Sequence, residues 1–90
     1  MEIEQDTINK ARRDLALRLG VSEQDIAEVS VEETDFPDAS LGASVEDEMS
    51  AQIITPGWRI RLKVGSEIYE YRATTRQLRL VKFKGQNHRV

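Results

Sequence analysis

The 90-residue chain contains no cysteine, one histidine and only five aromatic residues. Without cysteine it can form no disulfide, no zinc–thiolate site and no cysteine nucleophile. A single imidazole also excludes a histidine-rich metal site. The longest apolar runs, such as Ile53-Ile54, are far shorter than the roughly 20 residues that a membrane-spanning helix needs. We therefore expect no membrane partner.

The first ten residues, MEIEQDTINK, have neither the basic nor the apolar segment of a signal peptide. No lipidation motif is present, and the missing cysteines fit a reducing compartment. These features predict a cytoplasmic protein.

The composition is 39% hydrophobic and 32% charged, which argues against a disordered chain. A chain of this length supports one small hydrophobic core. We expect a single domain over residues 1–84 and a flexible polar tail over residues 85–90.

The net charge of −3 conceals a segregation along the chain. Residues 21–50 contain ten acidic residues and no basic one, whereas residues 51–90 contain nine basic residues and two acidic ones. One interpretation is that the two parts neutralise each other across the fold, with about 0–1 kcal/mol of stabilisation per exposed pair. The other is a basic sheet surface that meets an acidic partner. That surface would consist of Arg59, Arg61, Lys63 and Arg72. Because the chain is acidic overall, we expect no nucleic-acid partner.

Residues 6–19 have the pattern of an amphipathic helix, because Ile8, Ala11, Leu15 and Leu19 recur on one helical face. Gly20 follows the last of these residues. It suits the left-handed position that ends many helices.

Residues 27–34 change to a period of two, which predicts a half-buried strand with Val29 and Val31 on one side. Residues 35–50 have no clear period and indicate a long loop, a length that is usually functional or flexible. A short strand over residues 51–55 and a type II turn over Thr55-Pro56-Gly57-Trp58 should follow.

The clearest pattern is the alternation of WRIRLKV, residues 58–64, with Gly65-Ser66 as a two-residue hairpin turn. This turn fixes a register: Leu62 faces Tyr69, Ile60 faces Tyr71, Trp58 faces Ala73 and Arg61 faces Glu70. A last strand covers residues 78–83. We expect an α+β fold in two layers, with the N-terminal helix packed on the apolar face of a four-stranded antiparallel meander. Either open edge of that sheet could pair with a second copy, so a homodimer is one expectation.

No residue pattern indicates catalysis, a cofactor or a metal. His88 lies in the predicted tail, and the acidic run at 46–48 lacks the spacing of a calcium-binding loop. The glycines are isolated, so no phosphate-binding loop is present. We expect a protein that is not an enzyme and takes no cofactor, with a small hydrolase as a residual alternative.

The segment from Asp35 to Gly42 is the most distinctive part of the long loop. Its candidate residues are Asp35, Phe36, Pro37, Asp38, Ser40, Leu41 and Gly42. In a structural interpretation, Phe36 and Leu41 fix the loop to the core and Pro37 sets its turn. In a functional one, the loop docks into another protein.

Three stretches carry a resemblance to known proteins: FPDASLGA at 36–43, SAQIITPGWRI at 50–60 and YEYRA at 69–73. They resemble a family of small, mostly uncharacterised bacterial domains with the pattern W-P-[DN]-x-[SC]-L-G-C, C-x-Q-x-[IV]-x-P-G-[WY]-R-[IV] and Y-x-Y-H-[TA]. This chain departs from the pattern at Phe36, at Arg72, and at Ala43 and Ser50, where relatives carry a cysteine pair. The loss of that pair fits a version kept inside the cell. The expected shape is also similar to PepSY-like and cystatin-like inhibitory domains.

These observations favour a non-enzymatic protein-interaction module with another protein as its partner. The contact surface would be the 35–50 loop, the basic sheet surface, or both. The alternative is a peptidase inhibitor that presents the 35–50 loop to a cleft.

Overall fold

The computed structural model describes residues 2–90. A helix, α1 (Gln5–Leu19), and a short 3₁₀ turn (Glu23–Asp25) precede the strands β1 (Ala27–Phe36), β2 (Thr55–Val64), β3 (Glu67–Ala73), β4 (Leu78–Phe83) and β5 (Gln86–Arg89). The strands form one antiparallel sheet in the order β1-β2-β3-β4-β5. The α+β antiparallel meander is therefore confirmed, but the predicted count of four strands was wrong.

Helix α1 packs the predicted face against the sheet. Ile8, Ala11 and Leu15 are buried and Leu19 is half-buried. The helix ends at Gly20 with φ of 68°, and the Gly20 N–H donates to the Ala16 carbonyl oxygen over 2.9 Å. Glycine adopts this left-handed conformation without a Cβ penalty, which is why the helix terminates there.

The core lies between α1 and the central strands. Ile60, Leu62 and Leu80 are fully buried there, and burial of a side chain of this size contributes about 1.5–3 kcal/mol. The hydroxyl group of Tyr71 in β3 donates a hydrogen bond to Asp14 Oδ2 in α1 over 2.7 Å. Burial and then this hydrogen bond raise the pKa of Tyr71 above its usual value, so the phenol stays neutral.

The β2–β3 hairpin has the predicted register. All four predicted pairs are present, and Val64 pairs with Glu67 across a two-residue turn. Gly65 has a φ of 61° whereas Ser66 has no positive φ, which fits the predicted II′ turn. Strand alternation and turn type are local properties, so the register followed from them.

Strand β1 departs from the predicted alternation. A bulge shifts its register between Glu28 and Ser30, and Val29 is consequently 48% exposed instead of facing the core. Val31 remains half-buried on the helix side. The prediction that both valines face inward was wrong for Val29.

The predicted short strand over 51–55 and the Pro-Gly turn after it were also wrong. Strand β2 begins at Thr55 and continues through Pro56 and Gly57. A Cβ on Gly57 would lie 2.3 Å from the Ala73 carbonyl oxygen and 3.2 Å from the Phe36 ring. Gly57 therefore permits the close approach of β3 rather than a turn.

Strand β5 occupies the segment that we predicted as a flexible tail. Phe83 pairs with Gln86 across Lys84 and Gly85, which have φ of 52° and 80°. Positive φ at both central residues is the requirement of a type I′ hairpin turn. His88, assigned to the tail, is half-buried in β5 with its ring edge-on to Phe83.

We predict that Gly57→Ala destabilises the fold by about 1–3 kcal/mol, because the added methyl group forces β2 and β3 apart. Urea unfolding followed by circular dichroism measures the change. Gly65→Ala is the matched control: it meets no atom within 4 Å but keeps a positive φ, so it should cost about 1–2 kcal/mol. A Gly57→Ala protein as stable as wild type would contradict the packing argument.

Candidate functional site

The long loop folds back over the sheet surface opposite α1. We call residues 37–54 the covering loop. Within a strand, successive side chains point to opposite faces, so Arg72 and Arg79 point away from the helix that their neighbours Tyr71 and Leu80 face. Both arginines contact the covering loop. The second face of the sheet is therefore partly closed by the loop that joins β1 to β2.

Apolar side chains fix the first part of this loop. Phe36, Leu41 and Ala43 are buried. The guanidinium of Arg72 lies 5.4 Å from the centroid of the Phe36 ring, within the range of a cation–π interaction. Arg72 Nη1 also donates to the Leu41 carbonyl oxygen over 2.9 Å. Arg72 thus joins β3 to both ends of the loop's apolar anchor.

Asp38 closes the turn that precedes this anchor. Its Oδ1 accepts hydrogen bonds from the Ser40 hydroxyl (2.7 Å), the Ser40 N–H (3.0 Å) and the Gly42 N–H (3.0 Å). The bond from the Ser40 hydroxyl is the main reason why the pKa of Asp38 lies below its usual value. Leu41 and Gly42 both have positive φ, at 62° and 65°. The Asp-x-Ser-x-Gly spacing in this sequence therefore builds a hydrogen-bonded turn.

Arg79 and Glu48 form a largely buried ion pair. Arg79 is 4% exposed, and its Nη1 and Nη2 donate to Glu48 Oε1 and Oε2 over 2.6 and 2.7 Å. Arg79 also donates to the Ala43 carbonyl oxygen and to Gln77 Oε1. The bidentate bond from Arg79 lowers the pKa of Glu48 to about 2.

The basic sheet surface predicted from the sequence is partly neutralised from within the fold, because two carboxylates face its four cations. Glu70 accepts from Arg72 Nε at 2.8 Å and from Arg59 Nε at 3.3 Å. Arg61 Nη1 donates to Glu32 Oε1 over 3.0 Å. Lys63 is exposed at the end of this surface. Of these pairs only Arg61–Glu32 joins the basic part of the chain to the acidic part, because Glu70 belongs to the basic part itself.

The structure separates the predicted surface residues by accessibility. The exposed ones are Asp35, Pro37, Gly42 and Lys63. The half-buried ones are Asp38, Arg59, Arg61 and Arg72. The buried ones are Phe36, Ser40 and Leu41. The buried group holds the loop on the sheet, as the structural interpretation of Phe36 and Leu41 requires, and it is not available to a partner in this conformation.

The most exposed apolar residues of the covering loop were not singled out from the sequence. Met49 is 98% exposed, Ile53 59% and Ile54 69%. We call residues 49–54 the apolar segment. The pattern AQIIT predicts a short strand, and no prediction was made for the exposure of its isoleucines. Successive side chains of a strand point to opposite faces. The adjacent positions of Ile53 and Ile54 therefore indicated that both could not face the same core.

Asp38 and Glu48, the half-buried carboxylates of the covering loop, both have structural partners. Within residues 2–90, no group of three or more His, Asp or Glu side chains is placed to hold a metal ion. The carboxyl groups of Asp38 and Glu48 both have a pKa below the usual value, because their ionised forms accept hydrogen bonds from these partners. No helix in this part of the chain is long and apolar enough to cross a membrane.

The family described as a domain of unknown function, DUF8738, matches residues 8–81, which extend from α1 into β4. No curated protein and no solved structure matches the chain.

We predict that Glu48→Gln lowers the free energy of unfolding by about 2 kcal/mol at pH 7, because hydrogen bonds to charged groups contribute about 1.5–3 kcal/mol. Glu46→Gln removes the same charge from an exposed neighbour and should change stability by less than about 0.5 kcal/mol. Urea unfolding compares the two variants with wild type.

The effect of Glu48→Gln on the free energy of unfolding should depend on pH. The folded-state pKa of Glu48 lies below its ordinary value of 4.5, so its contribution is complete above pH 4.5 and is lost as the pH falls towards 2. The difference between wild type and Glu48→Gln should therefore narrow between pH 5 and pH 3. A difference that is equal at both pH values would contradict the assignment of the ion pair.

Proposed function

We propose that this chain, which belongs to the DUF8738 family of domains of unknown function, is a non-enzymatic protein-interaction module. The proposal places the partner on the apolar segment. The observation that carries it is the exposure of Met49, Ile53 and Ile54 within six residues of one loop. Single exposed apolar residues are ordinary on protein surfaces, whereas groups of them mark binding sites.

The apolar segment is held at both ends. The Glu48–Arg79 ion pair lies immediately before Met49, and β2 begins at Thr55 immediately after Ile54. The Ala39 N–H also donates to the Ala51 carbonyl oxygen over 3.0 Å. A segment restrained in this way loses less conformational entropy when it binds than a free chain does. The restraint therefore supports the proposal that the fold presents the apolar segment to a partner protein.

The three exposed side chains of the segment would supply apolar contacts to a partner. Burial of each large aliphatic side chain contributes about 1.5–3 kcal/mol, against which the loss of translational and rotational freedom must be set. The buried part of the covering loop has a different role. It supports the apolar segment on the sheet. The hypothesis that the loop contacts a partner protein is kept, but the proposed contact residues change from 35–42 to 49–54.

We predict that the triple variant Met49→Ser/Ile53→Ser/Ile54→Ser folds like wild type and loses its partner in affinity capture from a lysate of the source cells. Leu17→Ser is the matched control, since Leu17 is 79% exposed on α1. Circular dichroism and urea unfolding verify the fold of both. A partner held equally by wild type and the triple variant would place the binding surface elsewhere.

The second candidate function is a peptidase inhibitor. The observation in its favour is that residues 51–54 are all exposed between an ion-paired anchor and a strand. A segment supported at both ends can enter a cleft without becoming mobile.

For this candidate, the intact protein should inhibit at least one peptidase in a panel that covers serine, cysteine, aspartic and metallo-enzymes. The triple serine variant should lose that inhibition, and the protein should be recovered uncut. Absence of inhibition across the panel, or rapid cleavage within residues 49–54, would overturn the inhibitor proposal and leave the interaction module standing.

A further inference from the structure

Strand β1 is an open edge of the sheet. It lies at one end of the strand order, and within residues 2–90 no strand pairs with its outer side. With ten residues, it is much longer than the four-residue strand β5 at the opposite edge. An open edge of this length offers backbone N–H and carbonyl groups to an extended peptide.

The charge on this edge has one sign. Strand β1 contains Glu28, Glu32, Glu33 and Asp35 and no basic residue. All four are exposed, and the neighbours Glu32 and Glu33 point to opposite faces of the strand. Because Glu32 already accepts a hydrogen bond from Arg61 over 3.0 Å, the negative charge that an added strand would meet comes mainly from Glu28 and Asp35.

A groove runs along the helix side of this edge, between β1 and the start of α1. It has a volume of about 400 Å³, and its lining includes the apolar side chains of Ile3, Ile8 and Val31 together with Glu28. Lysine and arginine have apolar stems and cationic tips, so such a side chain can lie on the aliphatic residues while its charge stays near a carboxylate. The groove thus fits the same partner chemistry as the edge.

We propose that the outer edge of β1 binds an extended peptide rich in lysine or arginine, which adds a sixth strand to the sheet. A second copy of this chain is disfavoured as the occupant, because pairing β1 with β1 would place acidic side chains opposite acidic side chains. The proposal goes beyond the proposed function, since the edge shares no residue with the apolar segment.

The probe is a seven-residue peptide, acetylated and amidated, that alternates lysine with valine. A glutamate–valine peptide tests charge, and a lysine–valine peptide with alternate backbone nitrogens methylated keeps the charge but cannot pair as a strand. Nuclear magnetic resonance titration of the full chain follows the amide signals of residues 27–36, and calorimetry gives the affinity.

We expect the lysine–valine peptide to bind, to shift the β1 amide signals, and to weaken at least fivefold between 50 and 300 mM salt, because added salt screens the charge attraction. The other two peptides should bind at least tenfold more weakly. The variant Glu28→Gln/Asp35→Asn should lose at least fivefold in affinity. Glu46→Gln/Asp47→Asn removes the same charge from the covering loop and should lose less than twofold.

Three results would overturn the proposal. Equal binding of the methylated peptide would show charge attraction without strand pairing, and equal losses in the two double variants would show an effect of net charge alone. Self-association through β1 without peptide, seen by sedimentation, would show that a second copy of the chain, and not a basic peptide, occupies the edge. The triple serine variant of the apolar segment should bind the peptide normally, so failure of this proposal and failure of the proposed function are distinguishable.

Discussion

The bidentate bond between Arg79 and Glu48 joins β4 to a loop residue 31 positions earlier in the sequence. A guanidinium that is 4% exposed needs a matched acceptor, because an unpaired buried charge is strongly destabilising. Glu48 supplies that acceptor, and the Ala43 carbonyl oxygen supplies another. The covering loop is consequently held on the sheet at Glu48, one residue before the apolar segment begins.

The two faces of the sheet are closed by different means. Helix α1 covers one face with aliphatic side chains and accepts a hydrogen bond from Tyr71 at Asp14. The covering loop closes part of the other with a few apolar anchors and a set of arginine hydrogen bonds to carbonyl oxygens and carboxylates. The first kind of contact is nondirectional and the second depends on geometry. This difference explains why a loop without helix or strand keeps a defined path.

A partner can contact only those side chains that remain accessible after the contacts within the fold have formed. Glu70 and Glu32 match part of the basic surface, and the distinctive residues Phe36 and Leu41 are buried. Two other accessible surfaces are the apolar segment at the end of the covering loop and the edge of β1 that carries Glu28 and Asp35. The two surfaces have opposite chemical character, which allows two different partners or two parts of one partner.

Local patterns predicted a large part of the fold. The helix, its end at Gly20 and the hairpin register depend on side-chain period and on single turn residues, and each is present as predicted. Strand β5 was missed because its turn places Lys84 at positive φ, a conformation for which lysine gives no sequence signal. The exposure of Val29 was missed because a bulge has no signature in a period of two.

The sequence by itself determined the helix, the hairpin and the separation of acidic from basic residues, because each depends on neighbours a few positions apart. Only the tertiary structure decided which charges meet and which side chains remain exposed. Arg79 and Glu48 are both ordinary charged residues until the sheet brings them within 2.7 Å. Met49 and Leu41 are both apolar loop residues, yet one is exposed and the other buried. That distinction depends on contacts between segments more than thirty residues apart, as with Leu41 and Arg72, and no local pattern encodes it.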